Sequence, residues 1–160
     1  MTAAFRPGQD LPSIPSHSVP ATNQSASLST LSGSIPKKRI LCVDDEIVGT
    51  TVRGEILTEH GYSVVLCHCP LAALDCDLSN FDLAIVDYRM PGLNGQELLL
   101  RMRALGARFP IVLLTGCLDV LSYDERRLFA RCIDKGMPIQ CLLETIDAFL
   151  SFHQLPDYGG

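Results

Sequence analysis

Long apolar runs are missing from this chain. No stretch approaches the roughly 20 residues that a membrane-spanning helix needs, so no membrane segment is expected. The first 30 residues also lack a basic region followed by an apolar stretch, which predicts no secretory leader. Basic residues are outnumbered: 13 Lys and Arg stand against 18 Asp and Glu, for a net charge of −5. Before Lys37 there is one residue of each sign, Arg6 and Asp10, so the whole excess falls on residues 37–160. An acidic domain without a basic stripe has no electrostatic footprint for nucleic acid. Internal repeats are absent, and nothing marks a second folded domain.

Cysteine, by contrast, is plentiful. Cys42, Cys67, Cys69, Cys76, Cys117, Cys132 and Cys141 form an odd-numbered set scattered through hydrophobic segments. That pattern predicts reduced, packed thiols in a cytoplasmic protein, not a disulfide framework. Cys67-His68-Cys69 with Cys76 has the atom types of a zinc site. No second ligand pair stands at a familiar distance, so these are read as packed or surface thiols. At 47% hydrophobic residues and a mean hydropathy of +0.21, the bulk of the chain has enough apolar surface for one folded core.

Residues 1–36 hold eight serines and five prolines with few large apolar side chains. Such a segment cannot offset its ordering entropy, and it is expected to be a disordered tail. From Lys37 the texture changes. KKRILCVDD reads as a buried strand ending in acids, and Ile47 to His60 as a helix stopped by Gly61. That helix's apolar positions are Ile47, Val48, Val52, Ile56 and Leu57. YSVVLC reads as a second strand, and Pro70 opens a short helix. LAIVD is a third strand, followed by a helix from Gln96 to Leu105. PIVLLTG is a fourth strand, followed by a helix from Asp119 to Ala130. RCID is a weak fifth strand. The last helix places Ile139, Leu142, Leu143, Ile146, Phe149 and Leu150 on one face. Strict alternation of continuous apolar strands with helices predicts an α/β fold: a parallel sheet covered on both faces.

The strand ends carry the chemistry. Ligands of open α/β sheets bind outside the carboxyl ends of the strands. There the chain delivers Asp44-Asp45, then Asp87 in FDLAIVDYRMPGLNG, then Thr115-Gly116, then Lys135. Three close carboxylates repel unless a cation sits among them, and an oxygen-only set suits Mg²⁺. A carboxylate in that position can attack phosphorus and become an aspartyl phosphate. An ammonium, a hydroxyl and a free backbone N–H would meet the phosphoryl oxygens. Asp87 is the candidate nucleophile.

Residues 37–153 resemble the receiver domain of bacterial two-component response regulators. The resemblance rests on Asp44-Asp45 closing the first strand, Asp87 within AIVDYRMPGLNG, Thr115 before a small residue, and Lys135. It implies a flavodoxin-like, doubly wound five-stranded parallel sheet of order 2-1-3-4-5. It also implies that Asp87 accepts a phosphoryl group from a histidine kinase or phosphotransfer protein. Asp45 and Asp87 would contact Mg²⁺ directly, Asp44 through water, and the Arg89 main-chain carbonyl would be a further ligand. Thr115 would turn toward the phosphoryl group, and Lys135 would pair with it. The signal would leave through protein contacts, with a downstream protein or in a homodimer, over the region from the fourth helix to the fifth.

Two positions depart from the family. Cys132 stands where an aromatic usually precedes the lysine by three residues, and a thiol cannot act as a swinging ring. Lys135-Gly136-Met137 precedes Pro138 where the family commonly has proline directly after lysine, so the Lys135 backbone is expected to be held differently. With residues 154–160 as a short flexible tail, the expectation is a stand-alone receiver, not an enzyme acting on other substrates. One alternative is a degenerate receiver serving only as a binding surface. Another is an aspartyl-nucleophile phosphohydrolase, but such enzymes carry an acid two residues after the nucleophile, and Arg89 stands there.

Overall fold

The structure, a computed structural model, describes residues 36–151. The expected tails, 1–36 but for Pro36 and 154–160, lie outside the described residues. Five strands form a single sheet: β1 (Arg39–Val43), β2 (Ser63–Cys67), β3 (Leu83–Val86), β4 (Ile111–Thr115) and β5 (Arg131–Asp134). All neighbours pair in parallel, in the order β2-β1-β3-β4-β5. This is the doubly wound, flavodoxin-like order, with β3 central.

Side chains alternate across the sheet and build a core on each face. Leu41, Val43, Ala84, Val86, Ile111 and Leu113 point to one side. There they meet α2 (Pro70–Leu74) and α3 (Gly95–Ala104) through Ala73, Leu98, Leu99 and Met102. Ile40, Cys42, Leu83, Ile85, Val112 and Leu114 point to the other side. That side is covered by α1 (Ile47–Glu59) and α5 (Ile139–Ser151). α5 buries Leu142, Leu143, Ile146 and Leu150, the stripe expected from its periodicity, with Ile139 and Phe149 half-buried beside them.

Two helices differ from expectation. α1 has the expected bounds and turns Ile56 and Leu57 inward as expected, but not its other apolar positions. Its buried residues are Thr50, Arg53, Gly54 and Leu57, while Ile47, Val48 and Val52 are 59%, 72% and 49% exposed. Two contacts set this rotation. At Gly54 the helix backbone comes so close to β2 that a Cβ would lie 3.0 Å from Leu66. Beside it on the same inner face, Arg53 reaches Asp44. The helix expected over 119–130 is instead a 3-10 turn at Leu118–Val120 followed by a six-residue α4 (Tyr123–Leu128). Ser122 caps α4: its hydroxyl accepts the Glu125 N–H while Glu125 reaches back to the Ser122 N–H, and that reciprocal box starts the helix anew. The fifth strand forms as read, with Ile133 buried and Cys132 half-buried. No helix among the described residues is long and apolar enough to cross a membrane.

Candidate functional site

The sheet gathers the sequence-predicted residues at one end. β1 stops at Val43, but backbone hydrogen bonds extend one residue beyond it. The Asp44 N–H donates to the Cys67 carbonyl at 3.1 Å, and the Asp87 N–H donates to the Val43 carbonyl at 2.9 Å. On the other side of β3, the Lys135 N–H donates to the Thr115 carbonyl at 3.0 Å. Backbone bonds of the sheet therefore fix the first residue past three strands. Asp44, Asp87 and Thr115 are buried, whereas Asp45 and Arg89 are exposed at the rim.

The Lys135 ammonium sits between the two buried acids, 2.9 Å from Asp44 Oδ2 and 3.4 Å from Asp87 Oδ1. Arg53 Nη1 adds a second cation 3.4 Å from Asp44 Oδ2, and the Glu46 N–H donates to Asp44 Oδ1 at 3.0 Å. Burial pushes the Asp87 carboxyl up. The Lys135 ammonium opposes that shift, and the negative charge of Asp44 adds to it. Asp44, Asp45 and Asp87 each offer an oxygen within 4.8 Å of the others, the one group of three metal-ligating side chains among the described residues. An all-carboxylate set of this size fits a hard divalent cation that keeps several waters. Cys67 and Cys76 approach to 4.0 Å, with no third ligand beside them among the described residues, and Cys69 is exposed.

The turn after Asp87 is fitted to the acid it carries. Gly92 has φ +80°, a conformation that other residues rarely adopt. Gly95 donates its N–H to the Tyr88 carbonyl at 2.9 Å and packs directly on the Asp87–Tyr88 backbone. Asn94 then caps α3 in a reciprocal box with Glu97. At the end of β4, Thr115 Oγ1 lies 3.1 Å from the Cys117 sulfur and accepts the Cys117 N–H at 3.4 Å. Gly116 is open to solvent, with nothing within 4 Å of a Cβ built there. After Lys135 the chain turns on the Asp134 carboxylate, which accepts the Gly136 N–H at 2.7 Å.

Three participants were not picked out from the sequence. Arg53 shares the 3.6-residue register of Gly54 and Leu57, so a polar inner face on the first helix was its available signal. His68 Nδ1 lies 3.2 Å from the Asp44 carbonyl; the sequence marked it only as a possible zinc ligand beside Cys67 and Cys69. Tyr88, next to Asp87, donates its hydroxyl to Glu125 Oε1 at 2.6 Å, across 37 residues of chain. The bond to Glu125 is the main reason the Tyr88 hydroxyl is pushed up to about 12, with burial and the nearby charges of Glu125 and Cys117 adding to it. The same bond holds Glu125 down at about 2, helped by Ser122.

The chain is similar to several known proteins. The family model described as response regulator receiver domain matches residues 40–139. The transcriptional regulatory protein FixJ of Bradyrhizobium diazoefficiens is 40% identical over 97 residues, covering 59% of this chain and 47% of that protein. The response regulator MprA of Mycobacterium tuberculosis is 38% identical over 79 residues, covering 49% of this chain and 34% of its own. The matches thus span about a third to a half of these curated relatives. Among solved structures, the response regulator protein TrrA of Thermotoga maritima, in complex with Mg²⁺-BeF, superposes with a TM-score of 0.65 at 31% identity, covering 70% of this chain and 98% of that one. A CheY-like receiver domain from Methanospirillum hungatei gives 0.64 at 27% identity, covering 74% and 97%.

Proposed function

The chain belongs to the response regulator receiver domain family, and on that premise we propose that Asp87 is its phosphoacceptor, charged by a histidine kinase or histidine phosphotransfer protein. The carrying observation is the placement of Asp87: buried at the end of the central strand, 3.4 Å from the Lys135 ammonium and within reach of two further carboxylates. Receiver domains are signalling modules of two-component systems, and the proposal adds the residues that serve the module here.

In the proposed step an Asp87 carboxylate oxygen bonds to phosphorus, the bond from phosphorus to the donor imidazole breaks, and the imidazole nitrogen keeps the electron pair. Lys135 favours the ionised form of Asp87 against its burial, and it is close enough to pair with the phosphoryl oxygens afterwards. Thr115 would turn its hydroxyl from Cys117 to the phosphoryl group, and the exposed Gly116 would offer its N–H. Asp44, Asp45 and Asp87, with the Arg89 carbonyl, would hold Mg²⁺, as the Mg²⁺-BeF complex of the Thermotoga relative suggests. When bound, the ion supplies positive charge between the carboxylates and the phosphoryl oxygens. The chain would catalyse only its own phosphorylation and dephosphorylation.

The rim of the crevice favours a protein donor. Ile47, Val48 and Val52 of α1 and Met137 beyond β5 are exposed apolar groups, and Glu46, Val52, Lys135 and Met137 line one groove. A partner delivering an imidazole to Asp87 would cover that groove. Residues 37–153 would form the receiver in a cytoplasmic setting, signalling to a downstream protein or a second copy over the face from α4 to α5. The intact acid set weighs against a degenerate receiver that only binds.

Incubation with Mg²⁺ and acetyl phosphate tests the proposal. An acid-stable, base-labile adduct is expected on Asp87 by peptide mass mapping. A wild-type protein with no adduct, or an Asp87→Ala variant with as much, would sink it.

A further inference from the structure

The segment from Cys117 to Glu125 is held at both ends by residues that adjoin the phosphoacceptor site. At its front, the Cys117 thiol and N–H both meet Thr115 Oγ1, at 3.1 and 3.4 Å. At its back, Glu125 takes the hydroxyl of Tyr88, the residue bonded to Asp87 in the chain. Tyr88 is itself immobilised at the backbone by Gly95.

The stretch between these anchors is lightly built. None of the six residues of α4 is buried; the segment is pinned by Leu121 before the helix and Phe129 after it. Arg126 ties the helix to its own approach, through the Leu121 carbonyl at 3.1 Å and the Leu118 carbonyl at 2.5 Å. β5 contributes the Cys132 sulfur, a weak donor 3.5 Å from the Arg126 carbonyl. Glu125 serves two ends at once: Oε2 accepts the Ser122 N–H and hydroxyl at 2.8 and 2.7 Å, while Oε1 takes Tyr88. A helix with so little apolar anchorage is free to open or shift at small cost, and its position is set by such polar tethers.

We infer that Tyr88 and Glu125 form the coupling element of this receiver: the Tyr88–Glu125 bond latches α4 in the resting state, and phosphorylation of Asp87 releases it. This takes the place of a swinging ring at position 132, where the chain has a thiol. The inference rests on the phosphoacceptor reading. Phosphorylation draws Thr115 away from Cys117, which frees the front of the segment. The front of the segment then moves, carrying α4 and its Glu125 away from Tyr88, whose backbone stays held by Gly95. Tyr88 is a positioning residue here and takes no part in the phosphoryl transfer.

The test uses the full chain with and without acetyl phosphate and Mg²⁺, reading the Asp87 adduct by mass and amide hydrogen exchange over residues 122–128. Loss of one charge-assisted hydrogen bond corresponds to roughly a tenfold faster exchange. Phosphorylation of the wild type is expected to give that acceleration. Tyr88→Phe is expected to give it without phosphorylation, and phosphorylating Tyr88→Phe adds less than about twofold more. Glu125→Gln, which keeps an acceptor for the Ser122 cap, serves as the second variant if Tyr88→Phe folds poorly, and the same loss of response is expected from it. A structural bond alone would accelerate exchange in the variants yet leave the response to phosphorylation intact, and that result overturns the inference while the phosphoacceptor reading stands. So does a wild type whose α4 ignores a formed adduct. Absence of the adduct in wild type overturns both.

Discussion

A Cβ added at Gly95 would overlap the Asp87 carbonyl oxygen and lie 3.0 Å from the Tyr88 Cα, whereas one added at Gly116 would meet nothing within 4 Å. Two glycines flanking one site therefore have different reasons to be glycine. Gly95→Ala must move the peptide that carries Asp87, at a cost of about 1–3 kcal/mol by analogy with overpacked cores. A shift of that peptide by a fraction of an ångström also misplaces the nucleophile, and we expect adduct formation from acetyl phosphate to slow roughly 10–100-fold. Gly116→Ala should leave unfolding within about 0.5 kcal/mol of wild type. Chemical denaturation of both variants checks the first point, and equal costs at the two sites would refute it. The acids and Thr115 were legible in the sequence because each ends or follows a recognisable apolar strand, Lys135 because it follows a weaker one, and a parallel sheet brings strand ends together. Arg53 and Tyr88 were not, since their partners lie on other elements and depend on the rotation of α1 and on where α4 starts.

Elements whose apolar stripe decides their packing were legible, and those positioned by polar contacts were not. α5 packs as its periodicity says. α1 has its length written in the sequence but is oriented by Gly54 against Leu66 and by Arg53 against Asp44, so Ile47, Val48 and Val52 face outward while Leu57 stays buried. α4 is cut short by a capping box at Ser122 that competes with the helical pattern on either side. A similar polar tie joins the start of β2 to α5: the Tyr62 hydroxyl donates to Asp147. Burial first, and then the bond and charge of Asp147, raise the Tyr62 hydroxyl above its ordinary value of about 10. A group whose folded pKa is raised contributes stability that is complete below its unfolded pKa and is lost as pH rises toward the folded value. The contribution of Tyr62 should thus be intact at pH 8 and fade above about pH 10. Tyr62→Phe is expected to cost about 1 kcal/mol at pH 8 and to narrow the gap between wild type and variant by pH 11. Urea denaturation at the two pH values measures it. A gap that stays constant or widens with pH would contradict the assignment.

At the scale of the whole molecule, the crevice exists only when the sheet is assembled, because its acids come from residues 44, 45 and 87 and its ammonium from residue 135. Without the fold these groups are far apart, so any cation they hold together binds the native state alone. Such binding stabilises by mass action, by about 2.7 kcal/mol at a hundredfold excess over the dissociation constant. For a domain of this size that corresponds to a rise in melting temperature on the order of 10 °C. The resting site already has two cationic partners for Asp44, Lys135 and Arg53, and Lys135 also serves Asp87. An incoming ion must share the carboxylates with Lys135, so affinity should be modest and the rise should grow steadily through millimolar Mg²⁺. Sodium chloride at matched ionic strength screens surface charge without entering the acid trio, and it supplies the baseline. Asp87→Asn removes one of three carboxylate ligands and should lose most of the Mg²⁺-specific rise. Its metal-free melting is expected to change little, since the variant loses an ion pair with Lys135 and a repulsion with Asp44 together. If Mg²⁺ and sodium chloride shift the wild type equally, the trio is not a metal centre. If Asp87→Asn keeps the full Mg²⁺-specific shift, the ion sits elsewhere, and the gathering of three strand-end acids would need another reason.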